Sequence, residues 1–308
     1  MTSSSQSAWF RTRRFRIAAL SAILFFPVIL HYGMRQEAQK LEVRREQLEL
    51  ASWQGNRPLR ILHLSDLHVS DQVPWQLLER AADLGLAERP DLIFITGDFV
   101  TNPFVIPDRD HCLAFLRRLN TAAPTFACLG NHDMLPAGTL TPPEEPVITL
   151  LHDAGIVLLK NTATTITIHG QAVHLAGTGD LWSGDLQPRF CLQNRRPEPG
   201  LALLLSHNPD GLEELERWDW DVLFCGHSHG GQLKIPLLGQ RPLSPTRRHD
   251  CLAGLSRRGN GRLVETTVGV GNLHGYRLNC RPEIAILEIN GKPNRENPSS
   301  KPSNPVLP

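Results

Sequence analysis

The sequence predicts an α/β fold built as a four-layer α-β-β-α sandwich. Short apolar runs typical of buried strands alternate with segments whose apolar residues recur at helical spacing, which is the pattern of layered α/β domains. The later part of the chain is richer in strands, and this predicts a second sheet packed on the first. The chain has 308 residues, of which 41% are hydrophobic and 20% are charged. That is enough for one large domain or two small ones.

The composition argues against a nucleic-acid partner. The net charge is only +1, whereas nucleic-acid binding needs a clustered basic surface. The six cysteines form neither a CxxC pair nor a zinc-finger spacing. Because Cys128 and Cys225 lie in apolar runs, we interpret the cysteines as reduced core residues, with disulfide pairing as the alternative. Nothing in the sequence predicts the oligomeric state.

The N-terminal region predicts an attachment to a membrane. Residues 1–16 are expected to be a disordered basic segment. Residues 17–34 contain no Asp, Glu, Lys or Arg and are close to the minimum length that spans a bilayer core of roughly 30 Å. We interpret them as a single transmembrane anchor, with a cleaved signal peptide and a buried soluble helix as alternatives. Basic residues flank the segment on both sides, so its orientation stays open, and the bacterial inner membrane is the expected location.

The next segment is expected to connect the anchor to the main domain. Residues 35–58 are predicted to form a juxtamembrane helix and linker, because Glu, Arg and Leu mix at helical spacing until Pro58 breaks the pattern. The main domain is predicted to cover residues 59–290. Residues 291–308 are rich in Asn, Pro, Ser and Lys and are predicted to be a disordered tail.

Within the main domain, three strand-and-helix units come first. Their strands are predicted at residues 59–64, 91–96 and 125–129. Their helices are predicted at residues 75–88, 111–119 and 147–154. An antiparallel hairpin is then expected, followed by four more strands that complete the domain. The hairpin covers residues 164–168 and 173–176, and the strands cover residues 201–206, 221–225, 262–268 and 283–289.

Polar side chains follow the predicted strands at their carboxyl ends, where open α/β sheets bind their ligands. They are Asp66, His68, Asp98, Asn131, His132, His207, His227 and His229. Each alone has an ordinary explanation, such as a helix cap, a turn or a satisfied core histidine. Their recurrence at one edge predicts a common site. Oxygen and imidazole donors in this number suit two divalent ions roughly 3.5–4 Å apart, which favour in-line displacement at phosphorus.

The segment from Cys225 to Gln232 contains two of these candidate ligands. His227 and His229 are two residues apart, so in an extended or turning backbone both imidazoles face one side. Flanking glycines allow the chain to turn sharply there. Because neutral imidazole is the commonest protein metal ligand, the stretch is a candidate edge of a metal site, with a simple polar turn as the alternative.

These motifs resemble those of calcineurin-like metallophosphoesterases, whose five motifs they match in order over residues 59–289. The matching motifs are Asp66-x-His68, Gly97-Asp98, Gly130-Asn131-His132-Asp133, His207 and Gly226-His227-Ser228-His229. Ser228 stands where Thr is usual. The segments 230–232 and 277–283 are similar to the membrane-associated bacterial branch. The resemblance also suggests membrane-facing substrates, among them UDP-2,3-diacylglucosamine, which anchored members of this superfamily hydrolyse. One aspartate, Asp180, stands where that branch has a pair, so we assign it no role.

The resemblance implies a role for each motif residue. One metal ion would be held by Asp66, His68, Asp98 and His229. The other would be held by Asp98, Asn131, His207 and His227, with Asp98 shared. A hydroxide bridging the ions would attack phosphorus, and His132 would protonate or stabilise the leaving oxygen. Asp133 would orient His132, with a turn cap as the alternative.

The expected function is hydrolysis of a phosphoester or pyrophosphate at a dinuclear centre. Mn²⁺ is the expected metal, with Fe or Zn²⁺ as alternatives. The specific substrate hypothesis is UDP-2,3-diacylglucosamine of lipid A synthesis. In residues 233–248, leucines precede arginines, which suits acyl chains beside phosphate or, alternatively, a packed hairpin. The alternative functions are a broad-specificity phosphodiesterase or phosphatase, a protein phosphatase, and an inactive membrane-anchored metal-binding scaffold.

Overall fold

The computed structural model describes residues 16, 25–134, 146–193, 200–235, 237, 244–259 and 261–291. These residues form two six-stranded sheets. A core of buried side chains from both sheets lies between them, and two further apolar clusters lie on their outer faces. The structure therefore confirms the predicted four-layer fold class.

The first sheet carries the three strand-and-helix units. Its strands are β1 (Glu42–Leu50), β2 (Leu59–Leu64), β3 (Leu92–Thr96), β4 (Thr125–Cys128), β5 (Val157–Leu158) and β12 (Glu283–Gly291). Their order across the sheet is β1-β12-β2-β3-β4-β5. The strands β2 to β5 are parallel, whereas β12 is antiparallel to β2 and parallel to β1. The outer face is covered by α1 (Trp75–Ala87), α2 (Arg109–Ala122) and α3 (Pro146–Asp153).

The second sheet contains the predicted hairpin and the later strands. Its strands are β6 (Thr162–Ile168), β7 (Gln171–Gly177), β8 (Leu201–Leu205), β9 (Val222–Cys225), β10 (Gly254–Arg257) and β11 (Leu263–Thr266). Their order is β10-β11-β9-β8-β7-β6, with antiparallel strands only at the two edges. Short helices, including α4 (Pro188–Leu192) and α5 (Leu212–Leu215), pack on its outer face.

Burial on both faces explains why the central strands are continuous apolar runs. In β2, Leu59 and Ile61 belong to the core between the sheets, whereas Leu62 and Leu64 face the helices. Phe94 of β3 meets Phe224 of β9 across the interface, with ring centroids 4.9 Å apart at 82°. This edge-to-face packing holds the two sheets in a defined position.

The predicted juxtamembrane helix and linker at residues 35–58 are wrong where the chain forms a strand, although residues 35–37 are helical. Residues Glu42–Leu50 form β1, which pairs with β12 along its whole length. Leu48 and Leu50 are two residues apart and therefore point to the same side of the strand. Both side chains are buried between the sheets. This pairing and burial outweigh the helical spacing of the charged residues, because tertiary contacts override local propensity. The folded domain therefore begins before the predicted boundary at residue 59.

The N-terminal helical segment comprises residues 25–37. Residues 17–24 of the predicted anchor lie outside the described residues. Among the residues that the structure describes, no helix has both the length and the apolar character required to cross a bilayer. Residues 1–15 of the predicted N-terminal segment 1–16 and residues 292–308 of the predicted tail 291–308 also lie outside the described part of the chain.

The end of this helical segment packs on a loop of the domain. Arg277 N–H donates to the Met34 carbonyl at 3.1 Å, and Cys280 N–H donates to Glu37 Oε1 at 3.0 Å. The Arg35 guanidinium lies 4.6 Å from the centre of the Tyr276 ring. The helix is thus tied to residues 276–280 before the chain enters β1.

A buried ion-pair network joins β1 to both sheets. The Arg44 guanidinium contacts Glu265 of β11 and lies 3.1 Å from Glu283 Oε1 of β12. Glu265 is fully buried, and its Oε1 lies 3.8 Å from His63 Nδ1. Burial tends to raise the pKa of Glu265, but His63 and Arg44 outweigh burial and hold this pKa below its usual value. Glu265 is therefore charged and depends on Arg44 for compensation.

We expect Arg44→Ala to lower the free energy of unfolding by about 3 kcal/mol, because it leaves the buried Glu265 carboxylate without its cation. Arg45, the next residue, pairs with Glu88 while 59% of its side chain is exposed. Arg45→Ala should lower the free energy of unfolding by less than about 1 kcal/mol. Urea unfolding followed by circular dichroism measures both values. Equal losses in the two variants would contradict the network.

Candidate metal centre

The carboxyl ends of five parallel strands meet at one edge of the sandwich. These strands are β2, β3 and β4 of the first sheet and β8 and β9 of the second. The predicted site residues all lie within a few positions of these ends: Asp66, His68, Asp98, Asn131, His132, Asp133, His207, His227 and His229. Parallel strands deliver their carboxyl ends to the same edge, so residues distant in sequence become neighbours.

A first group of donors consists of Asp66, His68 and His229, whose ligand atoms all lie within 4.8 Å of one another. His229 Nε2 lies 3.2 Å from His68 Nε2 and 3.4 Å from Asp66 Oδ1. All three residues are buried. One carboxylate and two imidazoles therefore converge on a space that a single cation can occupy.

A second group consists of Asp98, His207 and His227, again with ligand atoms within 4.8 Å of one another. His207 Nδ1–H donates to the Thr96 carbonyl at 2.6 Å, and this bond orients the ring. His207 Nε2 consequently lies 3.1 Å from Asp98 Oδ2. His227 Nε2 is buried and has no hydrogen-bond partner among the described residues. A buried nitrogen of this kind fits a metal ligand.

Asp98 touches both groups. Its Oδ2 lies 3.5 Å from His68 Nε2 as well as 3.1 Å from His207 Nε2. Its Oδ1 accepts a hydrogen bond from His132 N–H at 2.9 Å. The grouping matches the division of ligands that the resemblance implies, with Asp98 between the two sets.

Asn131 lies between two residues that approach Asp98, namely Gly130 and His132. Its Oδ1 is buried and has no hydrogen-bond partner in the described ranges. An amide oxygen left unpaired at a buried position costs free energy unless a ligand satisfies it. Asn131 is therefore suited to complete the second group.

The backbone is left-handed at five of these residues. The φ angles of Asp66, His68, Asp98, His227 and His229 are 52°, 46°, 53°, 62° and 46°. Such conformations are uncommon for residues other than glycine and cluster at functional sites. They persist because neighbouring loops hold them. For example, Asp66 N–H donates to the Gly97 carbonyl at 2.9 Å, and His68 N–H donates to the Asp98 carbonyl at 3.0 Å.

Close packing around Asp98 requires glycine at position 130. A Cβ atom on Gly130 would overlap Asp98 Oδ1 and lie 2.6 Å from Asp98 N. No side chain can therefore be added there unless Asp98 moves. The glycine in this motif is explained by the space that the carboxylate occupies.

The carboxylates of the site carry unfavourable buried charge. Burial raises the pKa of Asp66 to about 6 and that of Asp133 to about 8, and it also raises the pKa of Asp180. Asp98 is the exception. Burial tends to raise its pKa, but His207 and then His68 outweigh burial and hold it well below its usual value. A cluster of buried carboxylates is stabilised by cations, so its electrostatics favour metal binding.

Three imidazoles of the site are neutral and can act as ligands. Burial lowers the pKa of His68 and of His227 to about 3, and it also holds the pKa of His229 well below its usual value. Burial also tends to lower the pKa of His207, but Asp98 outweighs burial and raises it to about 10. A bound cation would compensate the negative charge of Asp98, which protonated His207 otherwise compensates. The donor set thus fits two divalent ions, with mixed nitrogen and oxygen ligands.

The predicted role of Asp133 is wrong. Its Oδ1 accepts hydrogen bonds from Phe99 N–H at 2.7 Å and Val100 N–H at 3.3 Å, and its Oδ2 accepts one from Gly130 N–H at 2.9 Å. Asp133 therefore connects the loop after β3 to the loop after β4. This role resembles the alternative prediction, in which Asp133 caps a turn. His132 is oriented instead by Thr101, because His132 Nδ1–H donates to the Thr101 carbonyl at 3.0 Å.

Asp180 and Trp182 lie beside the second group, although the sequence predicts no role for either. Asp180 is buried; its Oδ2 accepts a hydrogen bond from Ser183 N–H at 2.7 Å, while its Oδ1 has no partner in the part of the chain that is described. The Trp182 ring lies 4.3 Å from the His227 ring, measured between centroids. Both residues follow β7, so extending the strand-end rule to that strand could have found them.

Arg277 stabilises the loop that contacts Asp66 of the first group. Its guanidinium is fully buried and donates to the carbonyls of Val268, Gly269 and Gly271 at 2.8, 3.1 and 2.6 Å. Gly271 N–H in turn donates to the Asp66 carbonyl at 2.7 Å. Arg277 therefore holds the loop on which Asp66 rests.

The expected lipid-binding segment at residues 233–248 is described only in part. Residues 236 and 238–243 lie outside the described residues. Of the remainder, Leu237 is fully exposed, and Leu233 forms a bridge with Leu278. The lipid-binding interpretation of the segment therefore stays a prediction.

Comparison with known proteins identifies similar sequences. The profile of the calcineurin-like phosphoesterase family matches residues 59–231. The phosphodiesterase YaeI of Escherichia coli is 43% identical over 235 residues, which cover 75% of this chain and 82% of that protein. The UDP-2,3-diacylglucosamine pyrophosphatase LpxG of Chlamydia muridarum is 28% identical over 278 residues, which cover 74% and 83% of the two chains. A solved dimetal phosphatase from Danio rerio has a TM-score of 0.42 at 12% identity, covering 73% and 94%.

We expect Gly130→Ala to displace Asp98 and to lower the free energy of unfolding by about 1–3 kcal/mol, the usual cost of overpacking. The same variant should bind less Mn²⁺ than the unaltered protein in metal analysis after dialysis. Gly259 is the control, because a Cβ there meets nothing within 4 Å. Gly259→Ala should keep both stability and metal content. Full Mn²⁺ content in Gly130→Ala would contradict the importance of the Asp98 position.

Proposed function

This chain belongs to the calcineurin-like phosphoesterase family and is a metal-dependent phosphoesterase, and from that premise we propose that it hydrolyses phosphodiester or pyrophosphate bonds at a two-ion centre. The proposed ligands are Asp66, His68, Asp98, Asn131, His207, His227 and His229. One observation carries the proposal: two groups of buried donors lie side by side and share the Asp98 carboxylate. Mn²⁺ is the proposed metal, with Fe or Zn²⁺ as alternatives.

The protein would provide a fixed set of ligands and a proton donor. Two bound divalent ions supply an activated water and stabilise the charge that develops on the phosphate. Asp98 would reduce the repulsion between the two ions, because its carboxylate approaches both groups of histidines. His132 donates its Nδ1–H to the Thr101 carbonyl, and this leaves Nε2 available to a substrate. We propose that the imidazolium form of His132, which carries a proton on Nε2 as well as on Nδ1, donates the Nε2 proton to the leaving oxygen or stabilises the charge on that oxygen.

The substrate proposal has a general and a specific form. The general form is a phosphodiester, and its support is the 43% identity to a protein named as a phosphodiesterase. The specific form is UDP-2,3-diacylglucosamine, a lipid that contains a pyrophosphate. Its support is the similarity to LpxG, at 28% identity.

We also propose that residues 17–34 attach the enzyme to a membrane, with the bacterial inner membrane as the location. The described part of this segment supports the idea, because Phe25, Phe26, Val28 and Ile29 each expose more than 60% of their surface. Exposed apolar side chains in such a row suit contact with lipid. The lipid form of the substrate proposal would place the reaction at the same surface.

We expect Ile29→Arg to lower the fraction of the enzyme that stays with membranes after alkaline carbonate extraction. A charge in such a segment costs about 2.5–3.5 kcal/mol of insertion free energy. Val105 is the control, because it is similarly exposed at 57% but lies in a loop of the main domain. Val105→Arg should leave the membrane fraction unchanged. Release of the unaltered enzyme by carbonate would refute the anchor.

Activity measurements test the substrate proposal. We expect the full-length enzyme with Mn²⁺ to hydrolyse bis(p-nitrophenyl) phosphate and, in detergent, UDP-2,3-diacylglucosamine. Turnover of the simple diester alone would remove the lipid candidate. No turnover of either compound by metal-loaded enzyme would favour an inactive scaffold.

Two variants separate metal binding from proton transfer in the same assay. Asp98→Asn should lose bound metal and lower kcat by roughly a hundredfold or more, because the shared charge is removed. His132→Ala should retain its metal and lower kcat by about 10²–10⁴-fold. Asp83→Asn is the control, because that side chain is 63% exposed on α1. Unchanged hydrolysis in Asp98→Asn would refute the two-ion assignment.

A further inference from the structure

A cavity of about 490 Å³ opens beside the second group of donors. Its lining includes Trp182, Glu213, Glu214, Arg217 and Arg247. The volume lies within the range of small-molecule pockets, which is roughly 300–1,000 Å³. Because Trp182 also contacts His227, a molecule in the cavity would lie next to the second group.

The Trp182 side chain is partly exposed, so a planar group can stack on its ring. Its ring stands at 84° to the His227 imidazole, and 54% of the residue is accessible to solvent. Tryptophan is enriched at binding interfaces because it combines a large flat apolar face with a polar N–H. A planar group on the exposed part of Trp182 would remain adjacent to His227.

The loop that carries Trp182 is held in place from both sides. Asp185 N–H donates to the Asp180 carbonyl at 3.0 Å, which closes the loop on itself. Asn161 then anchors both ends: its Oδ1 accepts from Gly179 N–H, and its Nδ2 donates to the Asp185 carbonyl, each at 2.8 Å. Trp182 is therefore presented in a preformed position, which reduces the entropy cost of binding.

The charges around the cavity favour a polar ring over a hydrocarbon chain. The side chains of Glu213, Glu214, Arg217 and Arg247 are all exposed at its lining. They offer both hydrogen-bond donors and acceptors at the edge of an aromatic surface. A heteroaromatic base presents a flat apolar face and a polar edge, and so it matches this arrangement. An acyl chain would bury these charges without pairing them.

We propose that this cavity binds a planar heteroaromatic ring of the substrate, of the nucleobase type, stacked on Trp182. The phosphate attached to that group would then lie at the paired donors around Asp98. This inference rests on the phosphodiesterase activity proposed above and narrows its substrates to nucleotide esters, a class that includes UDP-2,3-diacylglucosamine. Trp182 is the specificity-determining residue.

Two esters with the same leaving group test the proposal in the Mn²⁺-loaded, full-length enzyme. They are thymidine 5′-(p-nitrophenyl phosphate) and methyl p-nitrophenyl phosphate. Loss of one base–aromatic stack changes affinity by about 5- to 150-fold. We expect Trp182→Leu to raise KM for the thymidine ester by roughly ten- to hundredfold while leaving KM for the methyl ester within about twofold. Trp182→Phe should keep most of the preference, because it retains an aromatic face.

Phe190→Ala is the matched control, since Phe190 is an aromatic residue that is 60% exposed but does not line the cavity. It should alter neither KM. If Trp182 only supports His227, Trp182→Leu will slow both esters equally, and that result would overturn the proposal. A Trp182→Leu enzyme with an unchanged preference would overturn it as well.

A binding measurement distinguishes failure of this inference from failure of the proposed activity. Isothermal titration calorimetry compares thymidine 5′-phosphate with methyl phosphate on the same proteins and needs no turnover. We expect the unaltered enzyme to bind thymidine 5′-phosphate about tenfold or more tightly than methyl phosphate, and Trp182→Leu to lose that difference. Equal affinities in the unaltered enzyme would refute the cavity assignment, even if both esters are hydrolysed.

Discussion

The site depends on one buried carboxylate that two sheets approach together. Asp98 extends from β3 of the first sheet, and its Oδ2 lies 3.1 Å from His207, which follows β8 of the second sheet. The same oxygen lies 3.5 Å from His68. Its position is limited sterically by Gly130 and by the hydrogen bond from His132 N–H. The face-to-face packing of the two sheets is therefore what brings the donors into range.

Much of the fold and most of the site could be predicted from the sequence. Strands buried on both faces are recognisable as apolar runs, and a polar residue directly after such a run lies at the sheet edge. This reasoning located Asp66, Asp98 and His207 without any knowledge of their neighbours. Asp180 follows β7, which is parallel to β8 as well as part of the predicted hairpin. The sequence assigns Asp180 no role, because it stands where the related branch has two aspartates.

The remaining features depend on partners that local patterns do not reveal. The charged residues of β1 follow helical spacing and so predict a helix, whereas the strand forms because β1 pairs with β12, which lies far along the chain. The role of Asp133 was also misassigned. Its three partners are backbone N–H groups, and His132 is held by the Thr101 carbonyl. Backbone atoms are the same in every residue, so residue types alone could not have identified these contacts.

The attachment of the N-terminal helix has a mechanical consequence. Residues 25–37 join the domain through Met34, Glu37 and β1, and Arg277 touches both this helix and the loop behind Asp66. These hydrogen bonds fasten the end of the helix to the domain close to the first group of donors. A surface that bound the helix would therefore hold the candidate metal centre near itself through direct contacts, without a long connecting segment between them.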